Sequence, residues 1–132
     1  MAEQIRLYFP ADTGYIGTIR LALSGIAGHL DFRINEIEDI KTCVAESCLV
    51  LMNGQKCSGL EIRVEQDAEV LSVCVLGENV EPDMETDFED FNDEFSRLMI
   101  ESLSDESSFQ EEDGLLREVC FEKRRPAGTD RS

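Results

Sequence analysis

Ile37-Glu38-Asp39-Ile40-Lys41-Thr42-Cys43-Val44-Ala45-Glu46-Ser47 reads as the middle of an amphipathic helix. Ile37, Ile40 and Val44 recur at spacings of three and four, and Cys48 and Leu51 continue the stripe, so one face is apolar. Asn35 is placed to cap its start. Asn53-Gly54 is placed to stop it, because both residues tolerate the left-handed conformation that closes helices. Glu46, Val50 and Asn53 follow one another at i, i+4 and i+7 on a different face. A helix buried on one side and carrying a carboxylate on another is the centre from which the rest of the fold is read.

Upstream, Gln4 to Phe9 alternates like a half-buried strand, and Pro10 ends it. Asp12 and Thr13 suit the N-cap of a first helix, whose stripe is Ile16, Ile19, Leu23, Ile26, Ala27 and Leu30. Gly14, Gly17, Gly25 and Gly28 weaken that helix, so packing must hold it. Downstream, Leu60 to Glu65 alternates, Gln66 to Glu69 is a tight connection, and Val70 to Leu76 is apolar enough for an interior strand. Phe88, Phe91, Phe95, Leu98 and Met99 then lie at helical spacing and predict a helix ending near Leu103. Ser107 to Gln110 reads as a short strand, Glu111 to Gly114 as a turn, and Leu115 to Lys123 as a closing strand. Strands grouped after paired helices predict an α+β two-layer sandwich, a mixed sheet with helices on one face. Residues 1–125 form a single domain in this reading, and 126–132 a mobile polar tail.

The chain has 132 residues, with 12 Lys and Arg against 29 Asp and Glu, a formal net charge of -17. Such a field repels phosphate backbones and anionic lipid, which argues against direct nucleic-acid or membrane binding and for a basic protein partner. Solubility alone is the competing explanation of the charge. No apolar run approaches the roughly 20 residues of a membrane span, and no basic segment followed by an apolar stretch opens the chain. The expected location is the cytoplasm. Cys43, Cys48, Cys57, Cys74 and Cys120 form no C-x-x-C pair, and His29 is the only histidine, so no metal site is expected. An odd cysteine count suits free thiols in a reducing compartment. His29 falls at the end of the first helix, where positive charge is welcome. Ser24, Ser47 and Ser72 would have to share that one histidine, and no glycine-rich phosphate loop with a lysine exists.

The element order and the Ile37–Ser47 stretch resemble the bacterial anti-sigma factor serine kinases, of the histidine-kinase-like (Bergerat) ATPase fold. The family helix carries a hydrophobic, Lys-Thr, hydrophobic, Glu pattern, matched here by Ile40, Lys41-Thr42, Val44 and Glu46. Phe9-Pro10-Ala11, the helix bearing Arg20, and the late helix-strand-turn-strand from Leu98 to Lys123 match as well. In the family's first motif, E-x-x-x-N, the Glu acts as general base or positions water and the Asn helps hold magnesium. Glu46 stands at the Glu position, but the Asn position falls on Val50, which offers a hard cation no oxygen. Asn53, one turn further on the same face, is a substitute donor or simply the helix stop.

The second motif, D-x-G-x-G, reads adenine with its Asp. Val75 occupies that position, Gly77 matches the first glycine, and Asn79 falls on the second. Where the family has a glycine-rich lid for phosphates, residues 78–94 carry nine acidic side chains and no basic one, among them Glu78, Glu81, Asp83 and Glu85. Like charges repel ATP there. The resemblance therefore implies a regulatory protein with a degenerate nucleotide site and no cofactor. It would bind a sigma factor or an anti-sigma antagonist without ATP hydrolysis, and would self-associate as a homodimer. Arg20, and the acidic residues Glu78, Glu81, Asp83 and Glu85, are its expected partner contacts; each is otherwise a solvated surface residue. The alternative is an active ATP- and magnesium-dependent serine kinase, with Glu46 as base and Asn53 at the metal. A further alternative, resting on charge alone, is an acidic mimic that fills a basic groove on another protein.

Overall fold

Alternating side chains build five long strands: β1 (Glu3–Pro10), β3 (Gly59–Asp67), β4 (Val70–Glu78), β6 (Glu106–Glu112) and β7 (Leu115–Arg124). Three helices, α1 (Ile16–His29), α2 (Ile34–Met52) and α3 (Asp93–Leu103), and two short strands, β2 (Gln55–Lys56) and β5 (Glu81–Pro82), complete the order. The computed structural model describes residues 3–83 and 93–125. The long strands form one sheet in the order β1-β3-β4-β7-β6, and β2 pairs with β5. The result is the expected α+β two-layer sandwich, with the helices on one face. No helix among the described residues is long and apolar enough to cross a membrane.

The pairing differs from expectation. Every neighbouring pair in the sheet is antiparallel, not a mixture. A single crossover helix would return the chain parallel, but the α1–α2 pair reverses it once more, so β3 runs against β1. After β4, the chain passes α3 and places β6 at the edge; β7 then turns back between β6 and β4. Both hairpin turns use left-handed residues: Ala68 (φ 56°) between β3 and β4, and Asp113 and Gly114 (φ 56° and 77°) between β6 and β7.

One core joins the layers. Ile62, Val73, Val75, Val119 and Phe121 from the sheet meet Ile19, Leu23, Ile40, Val44, Cys48 and Leu51 from α1 and α2. Asp12 caps the short 3₁₀ turn before α1, its Oδ1 accepting from the Gly14 N–H at 2.8 Å. Asn35 does not cap α2. The N-cap is Arg33, whose backbone N–H donates to Glu36 Oε1 at 2.9 Å, one arm of a capping box. At the other end, Gly54 (φ 68°) takes the left-handed conformation, while Asn53 is extended.

The apolar stripe expected on α3 is also corrected. Phe95 and Leu98 are 56% and 59% exposed, whereas Ser96 and Ile100 are buried. Phe88 and Phe91 lie outside the described residues, as does the expected tail at 126–132. A serine at 96 lets α3 come close to α2, with Ile100 as its apolar anchor.

The sheet face turned away from the helices is polar. Glu61 is only 7% exposed there, but side chains that carry charge and hydroxyl groups cover it. Arg63 donates to it through Nε (3.0 Å) and Nη2 (3.2 Å), and Tyr8 Oη at 3.1 Å. The Arg63 hydrogen bonds, outweighing desolvation and helped by Tyr8 and the Arg6 charge, hold the carboxyl below its usual value of 4.5. A depressed carboxyl stabilises the fold above its unfolded value and loses that contribution as pH falls through the folded one. Urea titrations of Glu61→Gln and the parent should therefore converge as pH drops below about 4. A constant difference down to pH 2 would count against this network.

Cys74 and Cys120, directly opposed on β4 and β7, are joined by a disulfide on this polar face. The expectation of free thiols is met by Cys43, Cys48 and Cys57 and corrected for this pair. The pairing comes from strand register across 46 residues, which no local spacing reveals.

Candidate functional site

The second face of α2 presents Glu46, Val50 and Asn53 toward α3 and the β6–β7 hairpin. Glu46 is half-buried, and its Oε1 accepts a 2.6 Å hydrogen bond from the Ser96 hydroxyl of α3. Lys41, one turn before it on the helix, pairs with Glu38 at 3.0 Å. Val50 is 2% exposed. Together with Asn53 it lines a cavity of about 250 Å³, whose other walls include Asp93, Arg97, Glu111 and Leu116.

Arg97 dominates that cavity. Its Nε donates to Asp93 Oδ2 at 2.8 Å, its Nη2 to Glu111 Oε2 at 3.4 Å, and its guanidinium lies 4.9 Å from the Phe109 ring centre. The floor is closed by Gln55, 7% exposed. Its Nε2 donates to the carbonyls of Leu51 (2.9 Å) and Leu116 (2.8 Å), and its Oε1 accepts from the Leu116 N–H (3.0 Å). Gln55 thus ties the end of α2 to the start of β7, with its amide satisfied on both sides.

The second-motif residues lie elsewhere. Val75 is fully buried between Ile62 and Val119 on the neighbouring strands. A Cβ at Gly77 would lie 2.8 Å from Val80 Cγ2 and 3.6 Å from both Leu51 and Cys57. Val80, 7% exposed, therefore packs where the glycine leaves room. Arg117 Nη1 holds the Val80 carbonyl at 3.2 Å. Asn79 is exposed with φ 52°, and its Nδ2 donates to Ser58 Oγ at 2.9 Å. The structure thus brings Val50 and Asn53 into one cavity and Glu46 onto the same helix face. Val75, Gly77 and Asn79 do not line that cavity.

Of the expected partner contacts, Arg20 is half-buried on α1, Glu78 and Glu81 are exposed, and Asp83 is half-buried. Glu85 lies outside the described residues. Arg97, Ser96 and Gln55 were missed in the sequence reading. Only Arg97 had a local signal, its i,i+4 spacing from Asp93.

Among the described residues, Cys74, Glu118 and Cys120 alone bring three potential ligand atoms within 4.8 Å. With the two sulfurs bonded to each other, neither is a thiolate that could bind a metal. Burial pushes the Cys43 and Cys48 thiols up to about 12 and raises Cys57.

Part of the chain is similar to serine-protein kinases. Over 47 residues it is 45% identical to the serine-protein kinase RsbW of Bacillus subtilis (strain 168), which is 36% of this chain and 29% of that protein. Over 46 residues it is 46% identical to the RsbW of Halalkalibacterium halodurans, covering 35% and 28%, and 39% identical to that of Bacillus velezensis, covering 35% and 29%. The chain spans less than a third of the length of these curated relatives. No protein-family model matches it.

Proposed function

We propose that the protein is a cytoplasmic regulator of the anti-sigma kinase type that binds a sigma factor or an anti-sigma antagonist and does not hydrolyse ATP. The observation that carries this reading is the engagement of Glu46. One of its two carboxylate oxygens accepts from the Ser96 hydroxyl, so the candidate base also serves to hold α3 against α2. Val50 at the metal position and Val75 at the adenine position offer no polar atom beyond the backbone. Arg20 on α1, with Glu78, Glu81 and Asp83 around β5, supplies charged surface for a protein partner, and a homodimer is the assembly we expect.

A second reading, an active serine kinase using Glu46 and Asn53, is favoured by the similarity to serine-protein kinases. Calorimetric titration of the full chain separates the two. ADP or ATP with magnesium should give no heat and no thermal stabilisation up to millimolar concentration, while a cognate sigma factor or antagonist should give heat. Micromolar nucleotide binding would sink the non-catalytic reading.

A further inference from the structure

On the sheet face away from α2, five directly opposed residues form a row, one from each strand: Arg6, Arg63, Cys74, Cys120 and Ser108. Cys74 and Cys120 share the disulfide at its centre, with their Cα atoms 4.1 Å apart. Both residues are half-buried, whereas Cys43 and Cys48 are sealed in the core; Cys57 is half-buried as well but has no cysteine partner. Cys120 also lines an open depression of about 500 Å³ with Glu106, Ser107, Ser108 and Glu122, so a small reagent can approach without unfolding the chain.

The bond is not what holds the strands together. β4 and β7 are paired along seven positions from Val70↔Arg124 to Leu76↔Glu118, and the apolar core lies on the opposite face. Opening the disulfide leaves that ladder in place, so the chemistry is local.

We propose that Cys74 and Cys120 form a reversible dithiol–disulfide site that exchanges with neutral or cationic small-molecule disulfides. In the forward direction a Cys74 thiolate attacks one sulfur of the reagent, RSSR, and expels RS⁻. Cys120, as thiolate, then attacks the Cys74 sulfur of the mixed disulfide and expels the second RS⁻. The protein loses two electrons and two protons, and the reagent's sulfur–sulfur bond becomes two thiols. Arg63, directly opposite Cys74, favours the thiolate there, although it also serves Glu61. Glu118 and Glu122 flank Cys120 on its own strand, and Glu106 opposes Glu122. Glu118, within 4.8 Å of both sulfurs, does not choose between them; Glu122 and Glu106, on the Cys120 side, favour Cys74 as the attacking sulfur, and all three carboxylates repel anionic reagents.

The full chain, reduced and freed of reductant, would be treated with cystamine or with glutathione disulfide at low salt. Samples trapped with an alkylating agent would be read by mass spectrometry. Cys74 and Cys120 should lose their labels together, with cystamine faster by about tenfold and the gap narrowing as salt screens the carboxylates. Cys120→Ser should stop at one cystamine adduct on Cys74. The parent chain gives the same answer without a substitution if dithiothreitol reduces the pair while circular dichroism stays native. Persistent labelling of both cysteines, or reduction only after denaturation, would overturn the site. Equal rates for the two reagents would overturn the reagent class. One equivalent of zinc held by the reduced chain and released in Glu118→Gln would replace the proposal with a cation site.

Discussion

Replacing Val75 with aspartate is expected to unfold the protein, not to give it an adenine-reading carboxylate. The substitution puts back the acid of the D-x-G-x-G motif, so it asks directly whether the strand end still faces a ligand. Val75 is 0% exposed and sits between Ile62 and Val119 in the middle of the sheet. Val80 packs beside Gly77, close to Leu51 and Cys57. A carboxylate at this position would have apolar neighbours on both strands. It must then either stay ionised without a partner or take up a proton and remain poorly bonded, and each costs several kcal/mol. A loss above about 4 kcal/mol is expected, a large share of the stability of a domain this size. Val75→Thr keeps the shape and adds only a hydroxyl, so it should lose far less, about 1–3 kcal/mol. Urea denaturation followed by circular dichroism measures both. A folded Val75→Asp whose melting temperature rises with ADP would mean that the strand end opens to a nucleotide, and would revive the kinase reading.

The strands and α2 were legible because their signals are local. Leu60 to Glu65 alternates visibly, and the Ile37–Leu51 stripe has one period throughout. What failed depended on partners distant in the chain. Alternation places Cys74 and Cys120 on the polar phase of their strands, but the register that sets them opposite each other follows from β7 inserting between β4 and β6. The sheet's antiparallel pairing depended in the same way on counting chain reversals through α1 and α2. On α3, Phe95 and Leu98 are large and regularly spaced, so hydrophobicity alone chose them for the core. The buried positions are Ser96 and Ile100, because a small hydroxyl-bearing residue lets the helix approach Glu46. The site was legible as residue types at motif positions. The engagement of Glu46 by Ser96 and of Arg97 by Glu111 was not, since both contacts belong to the docking of α3.

That docking rests on one fully enclosed side chain and a few polar contacts. Ile100 is 0% exposed and is the only apolar residue fully enclosed on α3; Leu103 contributes a half-buried second contact. Polar attachments add to it: Ser96 to Glu46, Lys123 Nζ donating to the Leu103 carbonyl at 2.7 Å, and Arg97 reaching Glu111 and the Phe109 ring. The Arg97–Glu111 pair is partly solvated and adds little, about 1 kcal/mol or less. Ile100→Ala should therefore lower stability by about 2–5 kcal/mol, because the methyl groups it removes leave a space that α2 cannot fill without moving. The loss should also be uneven. Hydrogen exchange should rise first in the amides of residues 96–103, while the central strands β4 and β7 keep their protection up to global unfolding. Ser96→Ala, which removes the hydroxyl and leaves Glu46 facing the same space, tests the polar half of the joint. It should open α3 by a smaller factor and leave Ile100 in place. Uniform loss of protection in Ile100→Ala would mean that α3 and the sheet unfold as one unit. Glu46 would then never be uncovered in the native ensemble, since no state with α3 alone displaced would exist.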